Sequence, residues 1–370
     1  MPPLLPKDVY EYMAKRVLGQ REVLRLIAVA VYKHVSGVKA GNILLVGNSG
    51  TGKTTIMKTI HRFYQEHEDM APFRVMAVLN ANILAGEEGD IRTGRLFTAL
   101  EGAVKKQLGE DVDRATMLQG LQNATVCLDE VDKISARISG KPNPVGIALQ
   151  QALLTILEGE TIMVPVTVRE NGQDVATHLP VDTGKILFVC GGAFEELYDQ
   201  VQTLIVNRKD DRRLKETTEI QRTGEGEVRV TAVTRFKLVD HLRLSDMFTY
   251  GMLPQFLSRF SSLAILDDLS REDLVKILLE ADDSPLRHCR EFFSSMGIDL
   301  RITQEALDMI AEHALRNTRI GARALRELFS RIMADAEFDP FGQPRLQQTD
   351  KGRFLTIDRA MVQERLVSRS

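Results

Sequence analysis

Short apolar runs alternate with amphipathic stretches along the first two thirds of the chain. Four runs have the composition of buried strands: residues 43–46, 74–79, 124–130 and 185–192. Between them, apolar residues recur at helical spacing, as in residues 96–108. Continuous apolar strands that alternate with helices are typical of a parallel sheet covered on both faces. The pattern predicts a doubly wound α/β fold whose ligand lies beyond the carboxyl ends of the strands.

Two further patterns precede and interrupt this sheet. Residues 9–34 have the periodicity of one or two helices, which Gly19 and Gln20 interrupt. Later, Asn171 and Gly172 separate two β-rich runs just before the fourth strand. Because Asn-Gly suits the tight turn of a hairpin, we predict a β-hairpin inserted into the crossover.

After residue 266, the pattern of apolar positions becomes mainly helical. Ser270 and Thr303 are in positions to cap helices, and further helical periodicity covers residues 286–296 and 323–336. Short strand-like runs lie at 297–300 and 354–357. We therefore predict a large α/β domain at residues 1–266 and a smaller, mainly helical α+β C-terminal domain at residues 267–370.

Composition narrows the function classes. The formal net charge of the 370 residues is -3, which gives no overall electrostatic reason to bind nucleic acid or an anionic membrane. No apolar run approaches the roughly 18–20 residues of a membrane span, and the N-terminus lacks a secretory layout, so we expect a cytoplasmic protein. Cys127, Cys190 and Cys289 are far apart, and the first two lie in strand-like runs. We expect these two, Cys127 and Cys190, to be buried hydrophobic residues rather than ligands or nucleophiles.

The first strand leads into a P-loop, Gly-x-x-x-x-Gly-Lys-Thr, and a helical pattern follows it. Glycines allow the backbone to curl so that successive N–H groups face a triphosphate, and the helix adds its positive N-terminus. Lys53 is predicted to reach the β- and γ-phosphates, and Thr54 to ligate Mg²⁺. The residues predicted to bind ATP in this loop are Gly47, Asn48, Ser49, Gly50, Thr51, Gly52, Lys53, Thr54 and Thr55.

The third strand ends in two acids, Asp129 and Glu130. Downstream of a P-loop, this is the position of a Walker B motif. We predict that Asp129 holds Mg²⁺ and its waters, and that Glu130 polarises the water that attacks the γ-phosphate. A solvated turn is the alternative for such a pair, and the P-loop upstream argues against it.

Several motifs together resemble the AAA+ core of the ClpX protein unfoldases, and the similarity covers nearly the whole chain. They lie at residues 41–47, 128–134, 149–154, 157–159, 181–194, 251–259 and 320–326. The Cys-Gly-Gly-Ala-Phe run at 190–194 and the Gly-Ala-Arg motif at 321–323 are more specific than a P-loop alone.

The resemblance implies roles for four more residues. Arg259 corresponds to the arginine finger that enters a neighbouring subunit's site, which implies a homo-oligomeric ring, a hexamer in this family. Arg323 corresponds to the sensor-2 arginine, which contacts the phosphates and couples nucleotide state to a hinge near Leu266. Val17 and Leu18 correspond to an apolar pair against the adenine ring. Without the family, surface ion pairs and core packing would explain these residues.

Three departures from the family bear on function. Residues 86–89 are Gly-Glu-Glu-Gly where the family carries an aromatic pore loop, Gly-Tyr-Val-Gly, which grips polypeptide. Residues 201–230 contain no Ile-Gly-Phe-like tripeptide for docking on the ClpP peptidase, so we do not expect ClpP as a partner. We also expect no N-terminal Cys-rich zinc domain. The second pore loop, near residues 137–146, carries Pro142 and Pro144.

A charged segment, residues 207–227, allows two interpretations. It interleaves basic and acidic side chains and is predicted to be irregular. It is either a loop that contacts substrate or a solvated loop with balanced charges, and the balance favours the second.

Three function hypotheses follow. The first is a ring-forming, ATP-hydrolysing remodelling protein that acts on a protein partner without ClpP. The second is an interaction protein in which ATP controls assembly and no substrate is threaded, which the acidic pair Glu87 and Glu88 favours. The third is a nucleic-acid motor, which the same acids and the absence of net basicity oppose.

Overall fold

A five-stranded parallel sheet forms the centre of the larger part of the molecule. The computed structural model describes residues 4–86, 91–207, 216–222, 228–234, 236–315, 321–350 and 352–367. It divides into two compact units. The first unit comprises residues 1–28, 48–63 and 268–370, and the second unit comprises residues 29–47 and 64–267. The prediction of domains at 1–266 and 267–370 remains a prediction.

The secondary structure alternates as expected of an α/β chain. The strands are β1 (Asn42–Val46), β2 (Met76–Asn80), β3 (Thr125–Asp129), β4 (Arg137–Ile138), β5 (Lys141–Pro142), β6 (Thr161–Glu170), β7 (Gln173–Asp182), β8 (Leu187–Gly192), β9 (Glu216–Arg222), β10 (Val228–Thr234), β11 (Phe260–Ile265), β12 (Ile298–Ile302), β13 (Leu346–Thr349) and β14 (Gly352–Ile357). The α-helices are α1 (Pro6–Ala14), α2 (Arg21–Val35), α3 (Lys53–Glu66), α4 (Gly94–Leu108), α5 (Arg114–Gln122), α6 (Pro144–Leu157), α7 (Glu195–Val206), α8 (Leu238–His241), α9 (Leu244–Tyr250), α10 (Pro254–Leu257), α11 (Arg271–Glu280), α12 (Pro285–Ser295), α13 (Gln304–Leu315), α14 (Ala322–Phe338) and α15 (Arg359–Val367). Short 3₁₀ helices lie at Glu68–Phe73, Ala81–Leu84, Val131–Ile134 and Thr183–Lys185. In the described part of the chain, none of the helices combines the length and apolar character of a membrane span.

The sheet of the second unit has the order β11-β1-β8-β3-β2, and all its neighbouring strands are parallel. The four predicted strands and the α/β fold class are confirmed. The edge strand β11 was not predicted, because Ser261 and Ser262 break its apolar run. All residues of the central strand β8 are buried, as are four of the five in β1. These strands are therefore part of a well-packed core, which fixes the positions of their carboxyl ends.

The predicted hairpin is also confirmed. Strands β6 and β7 pair antiparallel over ten residues each. Asn171 and Gly172 connect them with φ of 51° and 78°, the left-handed conformations that a tight hairpin turn requires. One face of the hairpin is buried through Val164, Val166, Val168, Leu179 and Val181.

The charged segment differs from its prediction where the structure describes it. Residues 216–222 and 228–234 form the antiparallel pair β9 and β10, so this part is not irregular. Thr, Ile and Val recur in both stretches, and these β-branched residues favour strands. Residues 208–215 and 223–227, which carry most of the predicted charge alternation, lie outside the described residues.

The first unit contains helices packed on a small sheet. Strand β14 lies between β12, which is parallel to it, and β13, which is antiparallel. Ser270 caps α11 as predicted: its Oγ accepts a hydrogen bond of 3.1 Å from the Asp273 N–H. The core includes Leu300, Phe329 and Leu355. The predicted helices and two strands are confirmed, while the mostly exposed, polar β13 was not predicted.

Candidate nucleotide site

The P-loop has the backbone conformation that its glycines make possible. Gly50 and Gly52 have φ of 76° and 109°, a region that side chains strongly disfavour. Helix α3 then begins at Lys53. The first turn of a helix directs its N–H groups and its positive dipole end towards the preceding loop, so this segment is suited to binding anions.

One carbonyl organises the interior of the loop. The Asn48 carbonyl accepts hydrogen bonds from the Lys53 Nζ at 2.9 Å and from the Thr51 Oγ1 at 2.8 Å. The Asn48 side chain is buried and donates to the Asp268 Oδ1 at 2.8 Å. Lys53 is only 8% exposed, so its ammonium is held inside the loop rather than extended into solvent. Thr54 and Thr55 are exposed.

Segments from both ends of the chain contact the loop within the first unit. The Gln20 amide donates to the Thr51 carbonyl at 3.1 Å. The Ala322 N–H donates to the Gly50 carbonyl at 3.2 Å, at the start of α14. A Cβ on Gly321 would lie 2.9 Å from the same carbonyl oxygen, so the close approach requires glycine. The structure thereby joins residues that are about 300 apart in the sequence to one loop.

The residues assigned by resemblance to adenine and phosphate binding lie beside this loop or next to its contacts. Val17 is buried, and its Cγ1 lies 3.7 Å from the position of a Cβ on Gly52. Leu18 is half-buried. Arg323 is exposed and directly follows Ala322 in α14.

The Walker B acids lie at the carboxyl end of β3 in the second unit. The Asp129 Oδ1 accepts a hydrogen bond of 2.9 Å from the Glu130 N–H. Glu130 has φ of 57°, which is uncommon for a residue other than glycine and turns the chain sharply after the strand. Its side chain is exposed, so the carboxylate is accessible.

Asn80 is a residue of this site that the sequence did not single out. It ends β2, pairs in register with Asp129, and its side-chain amide donates a hydrogen bond to the Glu130 carboxylate. Its side-chain oxygen accepts from the Asn82 N–H at 3.1 Å. Parallel strands end at one edge of a sheet, so the end of the second strand was the available signal.

Arg259 lies between α10 and β11, and its guanidinium forms an ion pair with Glu158. The Asn42 side chain donates to the Arg259 carbonyl at 2.8 Å and to the Leu157 carbonyl at 2.9 Å, so one amide holds the backbone at Arg259 and at the residue before Glu158. Glu158 belongs to a motif of the resemblance, at residues 157–159, but its pairing with Arg259 was not predicted.

The cysteines have the buried positions that the sequence predicted. Cys127 and Cys190 are fully buried in β3 and β8. Burial raises the pKa of both thiols, which keeps them protonated near neutral pH. They therefore contribute packing and not a nucleophile.

The predicted site residues divide between the two units. The residues of the first unit are Val17, Leu18, Asn48, Ser49, Gly50, Thr51, Gly52, Lys53, Thr54, Thr55 and Arg323; those of the second are Gly47, Asp129, Glu130 and Arg259. The acidic residues Glu87 and Glu88 at the pore-loop position lie outside the described residues, as does Ile320.

Five parallel strands, a P-loop after β1 and two acids at the end of β3 define a P-loop ATPase of the AAA class. The AAA domain family (Cdc48 subfamily) matches residues 38–263. Three bacterial relatives named ATP-dependent Clp protease ATP-binding subunit ClpX or ClpX 2 are each 30% identical to the chain. The Treponema denticola protein aligns over 90% of this chain and 77% of its own length, the Porphyromonas gingivalis protein over 94% and 80%, and the Wolinella succinogenes ClpX 2 over 90% and 77%.

The chain belongs to the ClpX family of AAA+ ATPases. The family assignment, the nucleotide-binding class and the ATPase activity predicted from the sequence are thereby confirmed.

Proposed function

We propose that the chain couples ATP hydrolysis to the remodelling of a protein partner, as a homo-oligomeric ring that is a hexamer. The observation that carries the proposal is the combination of an ordered P-loop with an exposed Glu130 carboxylate held by Asn80. The first supplies phosphate binding, and the second supplies a group that can activate water. The names of the relatives support a protein as the target, since they describe subunits of an ATP-dependent protease.

The first unit supplies the binding groups in this proposal. Lys53, whose ammonium lies within the loop, pairs with the β- and γ-phosphates, and backbone N–H groups of the loop contact their oxygens. The adenine packs against Val17 and Leu18, and Arg323 offsets the phosphate charge.

The donor set also fits magnesium. Mg²⁺ in ATPases takes one or two protein oxygens together with phosphate oxygens and waters. An exposed hydroxyl at Thr54 and the carboxylate of Asp129 are such donors. Bound Mg²⁺ would offset the negative charge that the β- and γ-phosphates carry.

Hydrolysis requires a base and a cation near the γ-phosphate. Glu130 orients and polarises the attacking water, and Asn80 fixes the direction of its carboxylate. Arg259, supplied to the site of a neighbouring subunit, stabilises the charge on the transferring phosphoryl group. Since Arg259 pairs with Glu158 within its own subunit, it must exchange this partner for the phosphate, and hydrolysis then depends on ring assembly.

We further propose that the ring acts without ClpP. Residues 201–230 carry no Ile-Gly-Phe-like tripeptide, the docking element of the family. The acidic Glu87 and Glu88 would also place two carboxylates per subunit at the position of the pore tyrosine, which suits a basic partner better than an apolar one.

The same acids favour a second candidate function. An ATP-controlled scaffold, in which hydrolysis times the assembly of the ring without threading, does not need an aromatic grip. A polypeptide held in the central channel of the assembled ring would exclude this candidate.

The test measures ATP hydrolysis by the purified chain at micromolar concentration. The comparison is the Lys53→Ala variant, which lacks the ammonium proposed to pair with the phosphates. We expect Mg²⁺-dependent hydrolysis that rises more than linearly with protein concentration, and no hydrolysis by Lys53→Ala. The Glu130→Gln variant, purified in the presence of ATP, should retain bound partner proteins. Adding these proteins to the wild-type chain should increase its rate of ATP hydrolysis. Wild-type protein without ATPase activity would overturn the proposal. A rate of hydrolysis per subunit that is the same at all protein concentrations would overturn its ring requirement.

A further inference from the structure

Two adjacent acids in the turn between α11 and α12 join segments that are distant in sequence. Asp282 and Asp283 occupy this turn, and both pair with arginines of other elements in the first unit, Asp282 with several and Asp283 with one. None of the motifs that relate the chain to its family includes them.

The Asp282 carboxylate interacts with three arginines. Its Oδ2 accepts from the Arg62 Nη1 at 2.5 Å and lies 3.8 Å from the Arg16 Nε. Its Oδ1 lies 3.8 Å from the Arg287 Nη1. Asp283 forms an ion pair with Arg326. A carboxylate has about four acceptor positions, so one aspartate can hold several guanidinium groups at once.

The turn that carries the acids is itself fixed. Ser284 is fully buried, and its hydroxyl accepts from the Arg287 N–H at 3.4 Å, which caps α12. The same hydroxyl donates to the Leu278 carbonyl in α11. Both neighbouring helices therefore hold the turn, and the two carboxylates are presented from a defined position.

Three of the four arginines lie on a segment with a proposed nucleotide residue, whereas Arg287 lies on α12, next to the turn itself. Arg16 directly precedes Val17, and its guanidinium lies 4.0 Å above the Tyr12 ring. Arg62 is in α3, the helix that begins with Lys53. Arg326 is one turn beyond Arg323 in α14. The two acids thus connect the adenine segment, the P-loop helix and the helix of Arg323.

We propose that Asp282 is a positioning residue for nucleotide binding, which together with Asp283 holds these three segments in their binding arrangement. The proposal rests on the nucleotide site of the proposed function and adds residues outside it. Asp282 is 51% exposed and Arg62 50%, so each ion pair is individually weak and screened by salt. The effect comes from several pairs that share one carboxylate.

The test compares Asp282→Asn with Asp299→Asn. Asp299 is a matched control, because it is an exposed aspartate of the first unit that pairs with one arginine, Arg301, at 2.7 Å. We expect Asp282→Asn to raise the KM for ATP and the Kd of a fluorescent ADP analogue about fivefold. The kcat should stay within twofold of wild type, because Glu130 and Arg259 do not lie on the three segments that the acids connect. Asp299→Asn should leave all three values unchanged.

Two further variants separate positioning from a general loss of structure. Asp282→Glu keeps the charge, and we expect its KM within twofold of wild type. Arg62→Gln should raise the KM, and combining it with Asp282→Asn should add little, since both remove the same interaction. An unchanged KM and Kd in Asp282→Asn, or an equal change in Asp299→Asn, would overturn the proposal.

The binding measurement keeps the two proposals distinguishable. If the wild-type chain binds the ADP analogue but does not hydrolyse ATP, the proposed function fails, while the difference in Kd between Asp282→Asn and Asp299→Asn still decides the role of Asp282. A Kd raised in Asp282→Asn alone supports that role.

Discussion

In the P-loop of the first unit, a main-chain carbonyl holds the side chains, since the Asn48 carbonyl accepts from both Lys53 and Thr51. In the second unit, charged side chains dominate: Glu130 accepts from Asn80, and Arg259 pairs with Glu158. Main-chain contacts fix the shape of a loop whatever the protonation or salt, whereas charged side chains can exchange partners. From this difference we expect changes in the P-loop to alter mainly nucleotide affinity, and changes at Glu130 or Arg259 to alter mainly the rate of hydrolysis.

The largest effect is expected for Arg259→Ala in the second unit. Arginine fingers contribute about 10³-fold or more to kcat, so we expect a loss of about 10³-fold with nucleotide affinity within a few-fold of wild type. Steady-state ATPase and binding of a fluorescent ADP analogue check this. Arg169→Ala, which removes a half-buried arginine paired with Asp174 at 2.9 Å, is the control and should retain its activity.

Mixing subunits tests where Arg259 acts. If it serves a neighbouring site, Arg259→Ala mixed with Glu130→Gln should hydrolyse ATP faster than either variant alone. No recovery on mixing would contradict a shared site.

Glu130→Gln is expected to lower kcat by about 10²-fold or more, because the amide cannot polarise water as a carboxylate does. Affinity for ATP should be retained, since Glu130 is not one of the proposed nucleotide-binding groups. Lys53→Ala should instead lose affinity, and Glu170→Gln at the exposed hairpin tip should change neither value. If Glu130→Gln lost affinity as strongly as Lys53→Ala, the separation of the two units into affinity and rate would be wrong.

Because His34 is buried, we expect the second unit to lose stability at acidic pH. Burial lowers the pKa of His34 to about 4, against the opposing effect of the Asn123 and Lys185 carbonyls, and its ring edge contacts Phe73. Well above pH 6.5 the ring is neutral in both the folded and the unfolded chain. Below it, the unfolded chain binds the proton first, so the free energy of unfolding falls as the pH drops from 6.5 towards 4, by about 2 kcal/mol at pH 5.

Urea unfolding at pH 7.5 and pH 5 measures this loss. His34→Gln should lose about 2 kcal/mol less than wild type over the interval, and His178→Gln, which changes an exposed histidine of the same unit, should behave like wild type. Equal losses in wild type and His34→Gln would exclude His34 as the cause.

The smallest effect is expected for Gly321→Ala in the first unit. Gly321 has φ of 51°, and an added Cβ would meet the Gly50 carbonyl oxygen at 2.9 Å, so the P-loop must shift. We expect the KM for ATP to rise about fivefold, which corresponds to about 1 kcal/mol. Gly172→Ala is the control: its φ of 78° is equally strained, but a Cβ there meets nothing within 4 Å. A KM unchanged in Gly321→Ala would contradict the role of this contact.

The sequence predicted the main strands because their apolar runs are fully buried, as in β1 and β8. It missed β11 and β13, where serines or glutamines interrupt the pattern and packing decides the pairing. The P-loop and the Walker B acids were recognisable because their chemistry needs fixed spacing within one short segment. The contact of Asn80 with Glu130 and that of Glu158 with Arg259 were not predicted, since neither residue lies beside its partner in the sequence.

What the sequence determined by itself is local: the strand and helix periods, the hairpin at Asn171-Gly172, the P-loop and the family motifs. Tertiary structure decided which distant groups meet, as where Ala322 donates to Gly50 or Asp282 pairs with Arg16 and Arg62. The physical reason is that periodicity and turn chemistry act within a few residues, whereas hydrogen bonds and ion pairs between remote segments depend on how the helices pack.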